Sequence, residues 1–180
     1  MDAVKIGLLG FGNVSRGVYR VLENHRRKII KSCGGDIHME KVLVRDVEKY
    51  RNAFPNISDL FTNDPYQIIN DPEIAIVVEV MGGVRPTFDY VIDAMKNGKS
   101  VVTANKDMIA ERGEELFETQ RNCGVDLFFE ESVGGAIPIV KSLKESLAGD
   151  EIREIVAIIT ARRTTYSRTC LCVRQITKKL

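Results

Sequence analysis

The chain has 180 residues, of which 44% are hydrophobic and 28% charged, a balance that excludes general disorder and fits one domain plus the start of another. No apolar run is long enough to span a bilayer, and the opening MDAVKIGLLG lacks the basic stretch of a secretory signal, so a cytoplasmic protein with no membrane partner is expected. The net charge of +1 hides a basic C-terminal stretch behind an acidic remainder.

Residues 4–15 read VKIGLLGFGNVS. The apolar run of residues 6–9 predicts a strand, Gly10-Phe11-Gly12 a tight turn, and the residues beyond it a helix. That order suits a dinucleotide. Gly10 permits the sharp turn, and Gly12 lets the backbone approach a pyrophosphate at the helix N-terminus. Ser15 stands at the third position of G-x-G-x-x-G, where a smaller residue packs helix on strand, so a packing cost is expected there.

Residues 14–30 carry Val18, Val21, Leu22, Ile29 and Ile30 at helical spacing and predict one helix, stopped by Gly34-Gly35. Residues 39–44 predict a second strand, ending in Arg45-Asp46. An arginine at that place accommodates the 2′-phosphate of NADP(H), whereas a carboxylate holds the ribose 2′-OH of NAD(H). Arg45 comes first, which favours NADP(H); Asp46 carries the competing reading, NAD(H).

Residues 47–73 read as a connection with one short helix after Asp64-Pro65. Residues 74–80, IAIVVEV, predict a strand buried on both faces. Met81-Gly82-Gly83 follow just past its carboxyl end, where an open α/β sheet binds ligands. A helix is predicted over 87–96, with Tyr90, Val91 and Met95 inward and Asn97-Gly98 ending it. A strand follows over 99–103, then a helix from Ala104-Asn105-Lys106 to Phe117. Residues 125–129 predict a strand, 139–147 a helix and 152–159 a strand. Strand and helix patterns alternate throughout, which defines a doubly wound α/β fold with a parallel sheet. Cys33, Cys123, Cys170 and Cys172 have no metal-ligand spacing and read as reduced thiols, while His25 and His38 read as isolated, solvated side chains.

Four segments, GLLGFGNV, VVEVMGG, VVTANK and FEESVGGAIP, resemble in order and spacing the N-terminal part of homoserine dehydrogenase, from Val4 to about Ile159. The resemblance implies a Rossmann-type NAD(P)-binding domain over residues 1–134 and the start of a catalytic and dimerisation domain over 135–159. It implies an NAD(P)-dependent oxidoreductase of amino-acid biosynthesis that interconverts homoserine and aspartate 4-semialdehyde as a homodimer. By motif position, Gly10, Phe11, Gly12, Asn13 and Val14 would hold the cofactor phosphates and ribose. Gly82, Gly83, Thr103 and Asn105 would lie near the nicotinamide, with Lys106 moving a proton at the substrate oxygen. A lysine at a helix start opposes the helix dipole, and a partly desolvated lysine with a lowered pKa can exchange a proton with an alkoxide. Glu130, Val133, Gly135 and Ile137 match positions whose oxygens bind a monovalent cation, usually sodium. Ala136 departs from the family there, where glycine is common.

Past Ile159 the pattern breaks. The family continues I-I-N-G-T-T-N-Y-I-L, and this chain reads I-I-T-A-R-R-T-T-Y-S. Encoding Thr160 to Ser167 as ACG GCA CGA CGA ACT ACA TAC TCT and inserting one A in front gives AAC GGC ACG ACG AAC TAC ATA CTC, which spells N-G-T-T-N-Y-I-L. Residues 160–180 are therefore expected to be translated out of frame, which also accounts for their six basic residues and lack of acids. A nucleic-acid arm is the rival reading, and nucleic acid is not expected as a partner.

Overall fold

Six parallel strands form one sheet in the order β3-β2-β1-β4-β5-β6 in the computed structural model, which describes residues 3–134, 137–152 and 154. The strands are β1 (Val4–Leu9), β2 (Ile37–Leu43), β3 (Phe61–Thr62), β4 (Ile74–Glu79), β5 (Ser100–Thr103) and β6 (Leu127–Phe128). The helices are α1 (Asn13–Asn24), α2 (Arg26–Cys33), α3 (Val47–Ala53), α4 (Tyr66–Ile69), α5 (Thr87–Lys96), α6 (Lys106–Cys123), α7 (Glu130–Val133) and α8 (Ile139–Lys141). Strand order reverses between β1 and β4, the switch point at which a Rossmann sheet opens a crevice. The expected doubly wound α/β fold is the one formed.

Alternation along β1 splits the core between the two sheet faces. Leu8 packs with Ile6, Phe11, Val42 and Phe61, while Leu9 packs with Ile69, Val77, Val91, Met95 and Leu116. Burying each such side chain contributes about 1.5–3 kcal/mol, an upper figure before chain entropy is counted. The chain divides after Val140, and the unit before that point holds all six strands of the described residues.

Several elements depart from the sequence expectation. The single helix over 14–30 is two helices, because His25 leaves helical geometry at φ −113° and ψ 16°. The Arg26 guanidinium forks onto Asp36 at the start of β2, and His38 Nε2 lies 2.9 Å from the same carboxylate. His38 is thus part of an ionic cluster rather than isolated. Residues 47–73 hold α3, a 3-10 segment over Pro55–Leu60 and the edge strand β3, as well as the expected short helix. β4 is packed on both faces as expected, Val77 within one core cluster and Ile76 and Val78 against the other, with Ala75 exposed near its start. α6 runs past Phe117 to Cys123, ended by Gly124 at φ 66°. Residues 139–147 form one helical turn and a wider turn over Ser142–Ser146. The predicted strand over 152–159 and the stretch 160–180 lie outside the described residues, apart from Ile152 and Glu154.

Candidate dinucleotide site

The turn after β1 is built for a backbone that an L side chain resists. Gly10 has φ +97°, and a Cβ on it would come within 3.2 Å of the Met81 side chain and 3.4 Å of the Val80 carbonyl oxygen. Its amide donates to Leu43 O at 3.1 Å, and Val80 N donates to Leu9 O at 3.2 Å, which holds the ends of β1, β2 and β4 together. Ser15 lies on the first turn of α1 and is fully buried. Its Oγ donates to Gly10 O at 2.7 Å, so the serine closes the glycine turn instead of merely crowding it.

Gly12 is the N-cap of α1 and offers no side chain to its free amides; the first turn holds no acid. Nothing lies within 4 Å of a Cβ built on Gly12. The exposed helix N-terminus is a place for an anion. Asn13 and Val14 are exposed beside it. Phe11 has a different use for its side chain, which is buried edge-on against Tyr50, Phe54 and Phe61 with ring centroids 5.2–5.9 Å apart.

An open cavity of about 910 Å³ lies outside the carboxyl ends of β1, β2 and β4. Gly10, Gly12, Arg45, Asp46, Lys49 and Gly82 are among its lining residues. Arg45 is exposed. Asp46 is engaged as the N-cap of α3, its Oδ1 accepting from Lys49 N at 3.0 Å. Lys49 was not singled out by sequence, because it faces the cavity only through α3, a helix that the apolar spacing does not reveal.

Gly82 and Gly83 both have positive φ, at 75° and 71°. Thr87 Oγ1 donates to Gly82 O at 3.2 Å and Asn105 Nδ2 to Gly83 O at 2.6 Å. Asn105 also caps α6, its Oδ1 accepting from Met108 N at 3.1 Å. Thr103 and Asn105 are buried at the end of β5 and do not line the cavity; they hold its rim from behind.

Lys106 is the first residue of α6 and is exposed, so the burial asked of it is not present among the described residues. Its Nζ donates to Glu131 O at 3.4 Å. Ser132 Oγ donates to Thr103 O at 3.0 Å, and together these bonds seat α7 against the end of β5. Of the expected cation ligands, Gly135 lies outside the described residues, as does Ala136. Glu130 Oε1 accepts from Val140 N at 2.9 Å, Ile137 O accepts from Ile139 N at 2.8 Å, and Val133 is exposed. Among the described residues, two of these oxygens thus accept from backbone amides of the same segment. Among the described residues no helix is long and apolar enough to cross a membrane.

A six-stranded parallel sheet with a glycine turn, an open helix N-terminus and a cavity at the switch point defines a dinucleotide-binding domain. Residues 10–130 match the family model described as homoserine dehydrogenase, NAD binding domain. The chain belongs to the homoserine dehydrogenase family. The homoserine dehydrogenase of Bacillus subtilis (strain 168) is 41% identical over 160 residues, covering 88% of this chain and 36% of that protein. That of Corynebacterium glutamicum is 40% identical over 158 residues, covering 88% of this chain and 35% of that protein. A crystal structure of a homoserine dehydrogenase from Thiobacillus denitrificans superposes with a TM-score of 0.77 at 38% identity, over 85% of this chain and 35% of that one. The chain spans about a third of the length of the curated relatives it matches.

Proposed function

We propose that this chain binds NADP(H) in the crevice at the switch point and supplies the cofactor half of an enzyme that interconverts homoserine and aspartate 4-semialdehyde. The observation that carries the reading is that Gly12, Arg45 and Lys49 line one cavity, and that Asp46, which lines it too, spends its Oδ1 on the cap of α3. Arg45 is then free to meet a 2′-phosphate, and Lys49 adds a second positive charge. NAD(H) is the alternative, its ribose hydroxyl meeting the Asp46 carboxylate, whose Oδ1 already accepts from Lys49 N.

The residues fit the cofactor at three places. The backbone of residues 10–14 and the α1 N-terminus meet the pyrophosphate, with Phe11 contributing its amide rather than its ring. Arg45 meets the adenosine ribose phosphate. Gly82 and Gly83 form the rim nearest the nicotinamide, with Thr103 and Asn105 behind them. A bound nicotinamide dinucleotide supplies or accepts hydride. Lys106 is the proposed proton carrier: its Nζ would give a proton to the substrate oxygen as the aldehyde is reduced and take it back in the reverse direction. That role requires a bound substrate or a second domain to cover the lysine. The homodimer, the substrate pocket and the cytoplasmic setting belong to the same reading.

A second reading is favoured by the share of its relatives' length that the chain covers. In it the chain binds NADP(H) without turnover. Two measurements on one sample separate the readings: NADPH binding by fluorescence, and NADP⁺ reduction with homoserine. Binding with turnover supports the first, binding without turnover the second, and absence of binding overturns both.

A further inference from the structure

We propose that Glu79 is a positioning residue for the nicotinamide half of the cofactor, acting through the Met81–Gly82 turn. This rests on the reading of the cavity as an NADP(H) site.

Glu79 ends β4 and has 0% of its surface exposed. A carboxylate is costly to bury unless every oxygen finds a donor. Here Oε1 accepts from Met81 N at 2.8 Å and from Gly82 N at 3.4 Å. Oε2 accepts from Thr103 Oγ1 at 2.5 Å. The same Thr103 oxygen accepts from Asn105 N at 3.0 Å, and Asn105 returns to Gly83 O. The bonds close a ring that joins the end of β4, the glycine edge and the end of β5.

An apolar residue would finish β4 at lower cost, and it would leave the Met81 and Gly82 amides without this acceptor. A buried carboxyl group kept just behind a ligand crevice breaks a local rule where function is expected. The outer side of the ring is open: nothing lies within 4 Å of a Cβ built on Gly82 or Gly83, and Gly82 lines the cavity. With the pyrophosphate at Gly10 and Gly12, this edge is left for the nicotinamide end. Glu79 touches no ligand itself. It fixes two consecutive left-handed glycines, which otherwise have wide conformational freedom.

A carboxylate accepts from all three donors at once: two N–H groups meet one oxygen and the Thr103 O–H meets the other. In Glu79→Gln the amide NH₂ faces the Thr103 hydroxyl, which must turn its O–H away and lose that acceptor. The test measures NADPH and adenosine 2′,5′-bisphosphate binding to the full 180-residue chain, with thermal unfolding in parallel. Glu79→Gln is expected to weaken NADPH about tenfold while the bisphosphate, which lacks the nicotinamide half, stays within about twofold. Thr103→Val, which removes the hydroxyl donor, should give the same split, and Thr103→Ser should restore binding. Should Glu79→Gln fail to fold, the Thr103 pair carries the same comparison. Equal losses for both ligands, or no loss of NADPH affinity, would overturn the positioning role. A wild-type chain that binds neither ligand overturns this proposal together with the cofactor reading, whereas wild-type binding with unchanged variants overturns the Glu79 role alone.

Discussion

Ser15 Oγ donates to Gly10 O at 2.7 Å, across the glycine turn and from a fully buried position. The third place of the glycine motif therefore carries a lock between α1 and the turn. Ser15→Ala should cost about 1 kcal/mol, the usual net worth of one hydrogen bond. Ser15→Gly should cost about 1 kcal/mol more, from helix propensity. Urea unfolding measures both, and an NADPH titration should show that Ser15→Gly binds no more tightly than the native chain. Tighter binding with unchanged stability would mean that the serine is only a packing compromise.

The two glycines of the turn should separate stability from binding. Gly10→Ala meets both a positive φ and the 3.2 Å approach to Met81, so it should destabilise the fold by about 1–3 kcal/mol. Gly12→Ala meets open space at φ −84° and should change stability by no more than about 1 kcal/mol. Its methyl group fills the place proposed for the pyrophosphate, so NADPH affinity should fall while thermal unfolding hardly moves. Loss of stability in Gly12→Ala with native affinity would place the ligand elsewhere.

Arg45 and Asp46 are neighbours that both line the cavity, and Asp46 also caps α3. Arg45→Ala should reduce NADPH affinity about tenfold, the scale of one charge-assisted contact, and leave NADH affinity nearly unchanged. Asp46→Ala should instead cost about 1 kcal/mol of stability through the lost cap, with little change in the NADPH-to-NADH ratio. A fall in NADH affinity on Asp46→Ala would reverse the cofactor preference. Parallel titrations with both nucleotides decide it.

Local signals made the sheet, its order of motifs and the glycine turn legible in the sequence. The apolar run before Gly10 and the helix over Thr87–Lys96, with Asn97 and Gly98 after it, are set by spacing and by punctuating residues that act at short range. What escaped was made by distant partners. His25 breaks a helix that the periodicity would continue, and Arg26 then reaches Asp36 just before the next strand. β3 has two residues, too few to show alternation. The ring around Glu79 joins positions 24 residues apart, and the single acid within IAIVVEV gives no sign of its donors. Asp46 was readable in principle, since Asp before a helical stretch is a capping signal. Its competing reading as a ribose ligand hid that.

Acid should expose the Arg26–Asp36 pair. The Asp36 carboxyl is held down at about 2, below its ordinary 3.8, chiefly by its hydrogen bonds to the Arg26 guanidinium, against some desolvation. Its folded pKa lies below the unfolded value, so the unfolded chain binds the proton more readily. The contribution is therefore complete above about pH 4 and disappears as the pH falls from about 4 through about 2. Asp36→Asn removes the charge that ties the start of α2 to β2. It should lower the urea midpoint at pH 7, and the gap from the native chain should close as the pH approaches 2. A gap that persists unchanged at the acid end would show that the pair stabilises by shape and neutral hydrogen bonding rather than by charge.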